Sequence, residues 1–331
     1  MDSDAPLFSA VSSSARQLRE LLRCISFASK AHIRVTEEGL RITTEESSTS
    51  EAFVFLEKSL FTSYTYNPPL PPSSQHDSPE PPHFQISLTS FLETLNIFTL
   101  SDPNASRKPD ALDAFATHRL ARHAGNPFSA HTAGICTITY AGEGHPLSIH
   151  MSESGVTTTC DLSTYEPQNG EEIPFARDSL ALKTIMRPSS LSETITELSS
   201  LTPSTLTIVA TPSSSSYPTL SFSAEGALGS ATVDFTTSPS GPDSSVLETY
   251  TCPTKTRASF TFSLLKAAQR AMSAATKVSL RLDVEGVLNL QFLVEVDGGA
   301  GMGHVFVEFR IVPLVEGDED GQGSASGSES D

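Results

Sequence analysis

Arg16, Arg19 and Arg23 follow one another at steps of three and four residues, and Glu20 is the only acid among them. On a helix that spacing puts three guanidinium groups in one row, suited to successive phosphates of a polyanion. Lys266, Arg270 and Lys277 form a second basic series, in a stretch from 263 to 282 that holds no acid. Such rows touch phosphate oxygens and leave base edges unread, so they hold a nucleic acid without selecting its sequence. The plainer alternative is a solvated helix face, because cations opposite an apolar stripe are ordinary on surface helices. Recurrence of the pattern in two distant parts of the chain favours the polyanion reading.

Other residues with chemical potential are less persuasive. Asp283 and Glu285 stand at i and i+2 at the end of a strand-like run, so both carboxylates share a face, as two-metal phosphodiester cleavage requires. Gly286 follows directly, however, and makes the trio read as a hairpin turn. Cys24, Cys136, Cys160 and Cys252 lie far apart with no CxxC pair, and His118, His123 and His304 offer no ligand spacing, so free thiols and no metal are expected. Phosphate-loop, nucleophile-elbow and HExxH patterns are missing. Ser213 to Ser216 reads as loop, and Gly298 to Gly303 joins two strands instead of opening a helix. No catalytic residue, metal or cofactor is expected.

The elements that carry these residues alternate between two periodicities. Ser12 to Ser14 offer an N-cap, after which Ala15, Leu18, Leu21, Leu22 and Ile25 recur at helical spacing opposite the arginine row. Strands are expected at 31–35, 40–44, 51–56 and 83–87, with a turn at Glu37-Glu38-Gly39. A short helix begins at Leu88, and strands follow at 135–140, 147–151 and 156–162. After Ser163 to Glu172 the pattern restarts with a strand at 180–186, a helix capped at Ser189 or Ser190, and strands at 206–210, 219–224, 231–236, 246–251 and 258–262. One continuous helix over 263–275 and strands at 277–284, 287–296 and 304–312 complete it. Strands 51–56 and 246–251 are candidate edges for pairing with other chains.

Both halves therefore repeat strand, helix, several strands, helix, strands. The expected fold class is α+β, with two similar domains of two helices each packed on antiparallel sheets. The expected division is a first domain over 1–162, a connector over 163–172, a second domain over 173–315 and an acidic tail over 316–331. The connector holds Ser163, Tyr165, Glu166 and Pro167 and little that is apolar. Segments 67–82 and 101–133 are rich in Pro, Ser and Gly and read as exposed loops. The tail reads as disordered, with Ser324, Ser326, Ser328 and Ser330 open to phosphorylation.

At 331 residues the chain is long enough for two ordinary domains. Its formal net charge of −18, from 21 basic and 39 acidic residues, argues against nonspecific wrapping by nucleic acid and makes the distribution of cations the question. No apolar run approaches the length of a membrane span, and the first ten residues lack the order of a signal peptide. A soluble intracellular protein is expected, with no membrane partner.

Six segments carry a family resemblance: LFSAVSSSARQLRELLRCISF, GLRITTEESSTSEAFVFLEKSLF, FQISLTSFLETLNIF, HPLSIHMSESGVTTTCDLSTYEP, FTFSLLKAAQRAMSAATKVSLRLDVEGVLNLQFLVEV and GHVFVEFRIVP. In this order and spacing, over nearly all of residues 7 to 314, the chain resembles the rad-one family of the heterotrimeric nine-one-one DNA-damage checkpoint clamp and, more distantly, the PCNA sliding clamps. The resemblance implies a DNA-clamp fold and a nuclear ring with two other clamp-like subunits. It also implies encirclement of double-stranded DNA, a clamp loader, and checkpoint and repair proteins as partners. By position, Arg16, Arg19, Arg23, Lys266 and Arg270 match bore-lining residues, and Lys277 follows them. Segments 67–82 and 101–133 are longer than the family pattern. The family's association with 3′ to 5′ exonuclease activity makes a nuclease the alternative, and a protein-interaction subunit without DNA contact is a third reading.

Overall fold

The computed structural model describes residues 5–68, 81–99, 135–153, 155–167, 172–215, 219–236, 246–298 and 301–315. Most of the two loop segments, the middle of the connector and the acidic tail, with its four serines, lie outside the described residues. The first half runs β1 (Phe8–Ser12), α1 (Ala15–Cys24), β2 (Lys30–Thr36), β3 (Gly39–Glu46), β4 (Ser50–Glu57), β5 (Ser63–Tyr66), β6 (His83–Ser87), α2 (Leu88–Thr99), β7 (Ile135–Tyr140), β8 (Leu147–Glu153) and β9 (Val156–Leu162). The second runs β10 (Leu180–Met186), α3 (Pro188–Ser199), β11 (Thr205–Ala210), β12 (Thr219–Gly226), β13 (Gly229–Thr236), β14 (Leu247–Thr251), β15 (Thr256–Thr261), α4 (Phe262–Ala267), α5 (Gln269–Ala274), β16 (Lys277–Asp283), β17 (Leu288–Gly298) and β18 (Gly301–Ile311). The architecture is α+β.

Helix α1 forms where the apolar spacing places it. The Ser14 side chain accepts a hydrogen bond from the Gln17 amide at 3.2 Å, and Ala15, Leu18, Leu21, Leu22 and Cys24 are buried. Ten residues are too few for a helix to persist alone. Burial of its three leucines, worth roughly 2 kcal/mol each, holds it.

Three local expectations change. The helix expected over 263–275 divides into α4 and α5 at Ala268, although the Met272 amide still bonds the Ala268 carbonyl at 3.0 Å. Helix α3 begins at Pro188 with Arg187 as an extended N-cap and no side-chain cap bond. Proline's fixed φ and missing N–H do the work expected of Ser189 or Ser190. Strands β1 and β5 have too little apolar alternation to stand out, and their pairing with each other and with β7 makes them strands.

Among the described residues all strand pairs are antiparallel and form sheets of order β5-β1-β7-β8-β9, β14-β10-β16-β17-β18-β4-β3-β2-β6 and β13-β12-β11-β15. Adding nine to each strand number turns β5-β1-β7-β8-β9 into β14-β10-β16-β17-β18, and β6-β2-β3-β4 into β15-β11-β12-β13. The halves thus share one topology, and β18 pairing with β4 fuses a sheet from each into the nine-stranded one. That corrects the reading of 51–56 as an edge: β4 is interior, between β3 and β18. The fusion also makes the buried apolar side chains one continuous cluster through both halves. In the first half Phe8, Leu22, Ile42, Phe91, Ile138 and Leu147 meet between two sheets and two helices. Cys24, Cys136 and Cys252 are buried free thiols and Cys160 is a half-buried one.

Candidate functional site

Helix α2 packs on α1, α1 on α5 and α5 on α3, so the helices form one layer in the order α2-α1-α5-α3. The layer covers one face of the nine-stranded sheet. The Thr44 hydroxyl of β3 donates to the Ile25 carbonyl at the end of α1, 2.8 Å away, and Phe27 lies 6.0 Å from the ring of Phe309 in β18. Because Leu18 and Leu22 face the sheet, the arginine row of α1 faces away from it.

That row meets the second basic series at one place. A groove between α1, α2 and α5 is lined by Arg19, Arg23, Ser26, Leu92, Asn96 and Arg270, with Glu93 at its side. Arg270 donates from Nη1 to the Ser26 hydroxyl at 2.6 Å, bridging residues 244 apart in the chain. The Cys24 thiol, pushed up to about 12 mainly by burial, feels both Arg23 and Arg270, which pull it down. Glu20 restrains the groove's charge: its carboxylate takes Arg19 Nη1 at 2.9 Å and Arg23 Nη1 at 3.2 Å.

The remaining expected residues are spread more widely. Arg16 is exposed one turn before Arg19, and Lys266 is exposed on α4 outside the groove lining. Lys277 alternates with buried Val278 and therefore points to the sheet face away from the helices, where its ammonium lies 2.6 Å from Glu248 of β14. Sequence reasoning missed Arg187, which lines a second groove between α3 and α5 with Ser192, Glu193, Thr196 and Glu197. A cation just before a proline-started helix was the available signal. The two acids of α3 leave that groove short of positive charge, so the cations of the layer collect at the seam of α1 and α5.

On the helix-free face the described ends of the connector lie at the edge of β6 and at the joint of β18 and β4. Ser163, Tyr165 and Glu166 are exposed and Pro167 is half-buried, while the Tyr165 amide and carbonyl pair with Gln85 on β6, both at 2.9 Å. Beyond the undescribed middle, Glu172 lies 3.0 Å from Arg41 and 3.7 Å from Arg310, and the Ile173 carbonyl accepts from Arg310 Nη1 at 2.8 Å. Arg310 also pairs with Glu51 at 3.0 Å and Glu308 at 3.2 Å, and all three side chains are under a tenth exposed. Burial raises the Glu51 carboxyl, with Arg310 opposing. None of these charges stood out in the sequence, because Arg310 and Glu51 lie far apart along the chain and meet only when β18 pairs with β4.

The Asp283–Glu285 pair resolves into a turn. Asp283 Oδ1 accepts from the amides of Glu285 at 3.0 Å and Val287 at 2.9 Å, and Oδ2 accepts from the Ala176 amide at 3.1 Å. Both oxygens are thus committed to backbone donors, and Glu285 is exposed. Among the described residues no group of three or more His, Cys, Asp or Glu side chains is arranged to hold a metal.

A family model described as Repair protein Rad1/Rec1/Rad17 matches residues 7–294. The chain is 30% identical over 311 residues to the DNA damage checkpoint control protein rad1 of Schizosaccharomyces pombe, covering 93% of this chain and 87% of that protein. It is 27% identical over 298 residues to the cell cycle checkpoint protein RAD1 of Homo sapiens, covering 90% and 88%. The DNA repair exonuclease REC1 of Mycosarcoma maydis is 24% identical over 274 residues, covering 66% and 59%. With most of its length matched, the chain belongs to the Rad1/Rec1/Rad17 family of DNA-damage checkpoint and repair proteins.

Proposed function

We propose that this chain is a non-enzymatic protomer of the nine-one-one checkpoint clamp, two similar clamp domains forming one arc of a nuclear heterotrimeric ring around duplex DNA. The observation that carries the reading is the convergence of Arg19, Arg23 and Arg270, from the two halves, on one groove of a helical layer. In a chain of net −18 such a seam is the place where a polyanion is tolerated. Arg16 and Lys266, both exposed, extend it; Lys277, on the opposite sheet face, is not part of the site. Contacts of this kind grip phosphates without reading bases, which is compatible with sliding.

The topology supports assembly with two neighbours. Connector residue Tyr165 covers the edge of β6, and Leu314 covers β15 through its amide on the Ser259 carbonyl at 2.7 Å. Strands β9 and β13, the counterparts of the joined β18 and β4, end their sheets, and among the described residues no strand pairs with their outer edges. Half-buried Ala231, Val233 and Phe235 on β13 and Leu162 on β9 leave apolar edges for other subunits to complete. We assign these edges to the two other clamp-like subunits, with a clamp loader and checkpoint and repair proteins acting on the assembled ring. The exonuclease reading suggested by the REC1 name has a poor site here, since Asp283 is fully engaged by amides.

Reversal of both Arg19 and Arg270 to Glu tests the proposal. Retention of the assembled ring on circular DNA falls, its dependence on salt becomes shallower by about 0.9 in log–log slope for each phosphate no longer neutralised, and ring assembly survives. Unchanged retention by an intact ring sinks the bore assignment. Glu20→Gln has the opposite sign: releasing Arg19 and Arg23 from this carboxylate raises affinity for DNA a few-fold at low salt, read by fluorescence anisotropy on a short duplex.

A further inference from the structure

The internal joint between β18 and β4 is a template for the open edge β9, because the repeat is in register to the residue. Leu147 faces Leu162 across β8 and β9 as Leu288 faces Ile311 across β17 and β18. Three residues further on, the Tyr165 amide bonds the Gln85 carbonyl as the Leu314 amide bonds the Ser259 carbonyl. Asp161 therefore occupies the place of Arg310. On the other side, His32, Thr43 and Phe53 line up across β2, β3 and β4 as Thr207, Ser223 and Thr232 do across β11, β12 and β13. Gln85 and Ser259 flank these two rows identically. Ser230 therefore occupies the place of Glu51.

Within the chain, Arg310 stands opposite Glu51, and their side chains meet at 3.0 Å. At the open edge the sign is reversed. Asp161 is exposed and points to the same helix-free face, where it accepts from the hydroxyl of Ser148 beside it at 2.6 Å. A strand with an acid at the Glu51 position would set two carboxylates opposite each other, which is destabilising, whereas a cation would restore the pair with exchanged signs. A second copy of this chain would bring β13, whose outward residues from this position are Ser230, Thr232 and Asp234, with no cation among them.

We infer that Asp161 on β9 selects the neighbouring subunit: the edge takes a strand of a different clamp-family chain, in the register β18 uses for β4, with a lysine or arginine opposite Asp161. The inference rests on the ring reading above and adds the chemistry by which a cation-bearing neighbour is favoured over a second copy, whose Ser230 offers Asp161 no counter-charge.

The test uses the full chain with the two other clamp-family subunits of the same organism, each measured separately by calorimetry. Asp161→Lys weakens binding to one of them on the order of tenfold or more, Asp161→Asn weakens it less, and binding to the other, at β13, is unchanged and reports that the variant is folded. Reversing the facing cation of the affected neighbour to Glu restores its affinity for Asp161→Lys. Wild-type affinity of Asp161→Lys for both subunits overturns the inference while leaving the ring intact; so does self-assembly of the chain alone through β9 and β13, seen by sedimentation. Failure of the wild-type chain to bind either subunit overturns the ring reading itself.

Discussion

Arg310→Ala lowers the stability of the chain by about 3–5 kcal/mol, as measured by urea unfolding at neutral pH. The variant leaves Glu51 and Glu308 buried without their guanidinium and removes the bond to the Ile173 carbonyl. A lost surface ion pair would cost under about 1 kcal/mol, so the size of the deficit separates a joint from a decoration. The deficit also depends on pH. Burial already raises the Glu51 carboxyl in the folded state and Arg310 opposes that rise. Without Arg310 the folded value climbs further above the unfolded one. A carboxyl raised by folding costs nothing while both states are protonated and costs progressively more as pH rises above the unfolded value, near 4. The gap between wild type and variant is therefore smaller at pH 5 than at pH 8. A gap that is flat in pH, or below about 1 kcal/mol, would remove the ionic joint from the account.

Asp283→Ala costs roughly 3 kcal/mol, because three amide donors, those of Ala176, Glu285 and Val287, lose their acceptor together and each orphaned group costs about 1–3 kcal/mol before water compensates. Asp283→Asn, which keeps one acceptor oxygen, costs less, and Glu285→Ala, at an exposed position, leaves the melting temperature unchanged. The same variants address the nuclease question. If the wild-type chain degrades DNA in magnesium or manganese, and Asp283→Ala removes that activity while melting normally, the turn assignment is wrong and the carboxylate is catalytic.

Much of the local structure was open to reading because it depends on neighbours in the chain. The α1 stripe and its serine cap, the alternation in β2 to β4, and the turn closed by Gly39 are short-range patterns. At φ +152 Gly39 has a backbone suited to glycine, and a Cβ there would collide with the Leu56 carbonyl. The break at Ala268 has no counterpart in the expected single helix, and the cap of α3 lies two or three residues before the expected serines, since helix ends are set by caps and packing as well as by periodicity. Of the candidate cations, Arg19, Arg23 and Arg270 share a groove and Lys277 does not. Spacing along the chain says which residues share an element's face, but not which way that face turns.

The sequence alone determined the order of most elements, β1, β5 and the break at Ala268 excepted, the recurrence of that order in both halves and the presence of basic rows in an acidic chain, because periodicity, turn chemistry and charge act over a few residues. Tertiary structure decided that β18 closes on β4, that Arg310 meets Glu51 across 259 residues and that Arg270 reaches Ser26 across 244. Those meetings depend on which strand edges are left open once the sheets form and on which buried charges find a counter-ion. Both are properties of the packed whole, to which a window of neighbouring residues is blind.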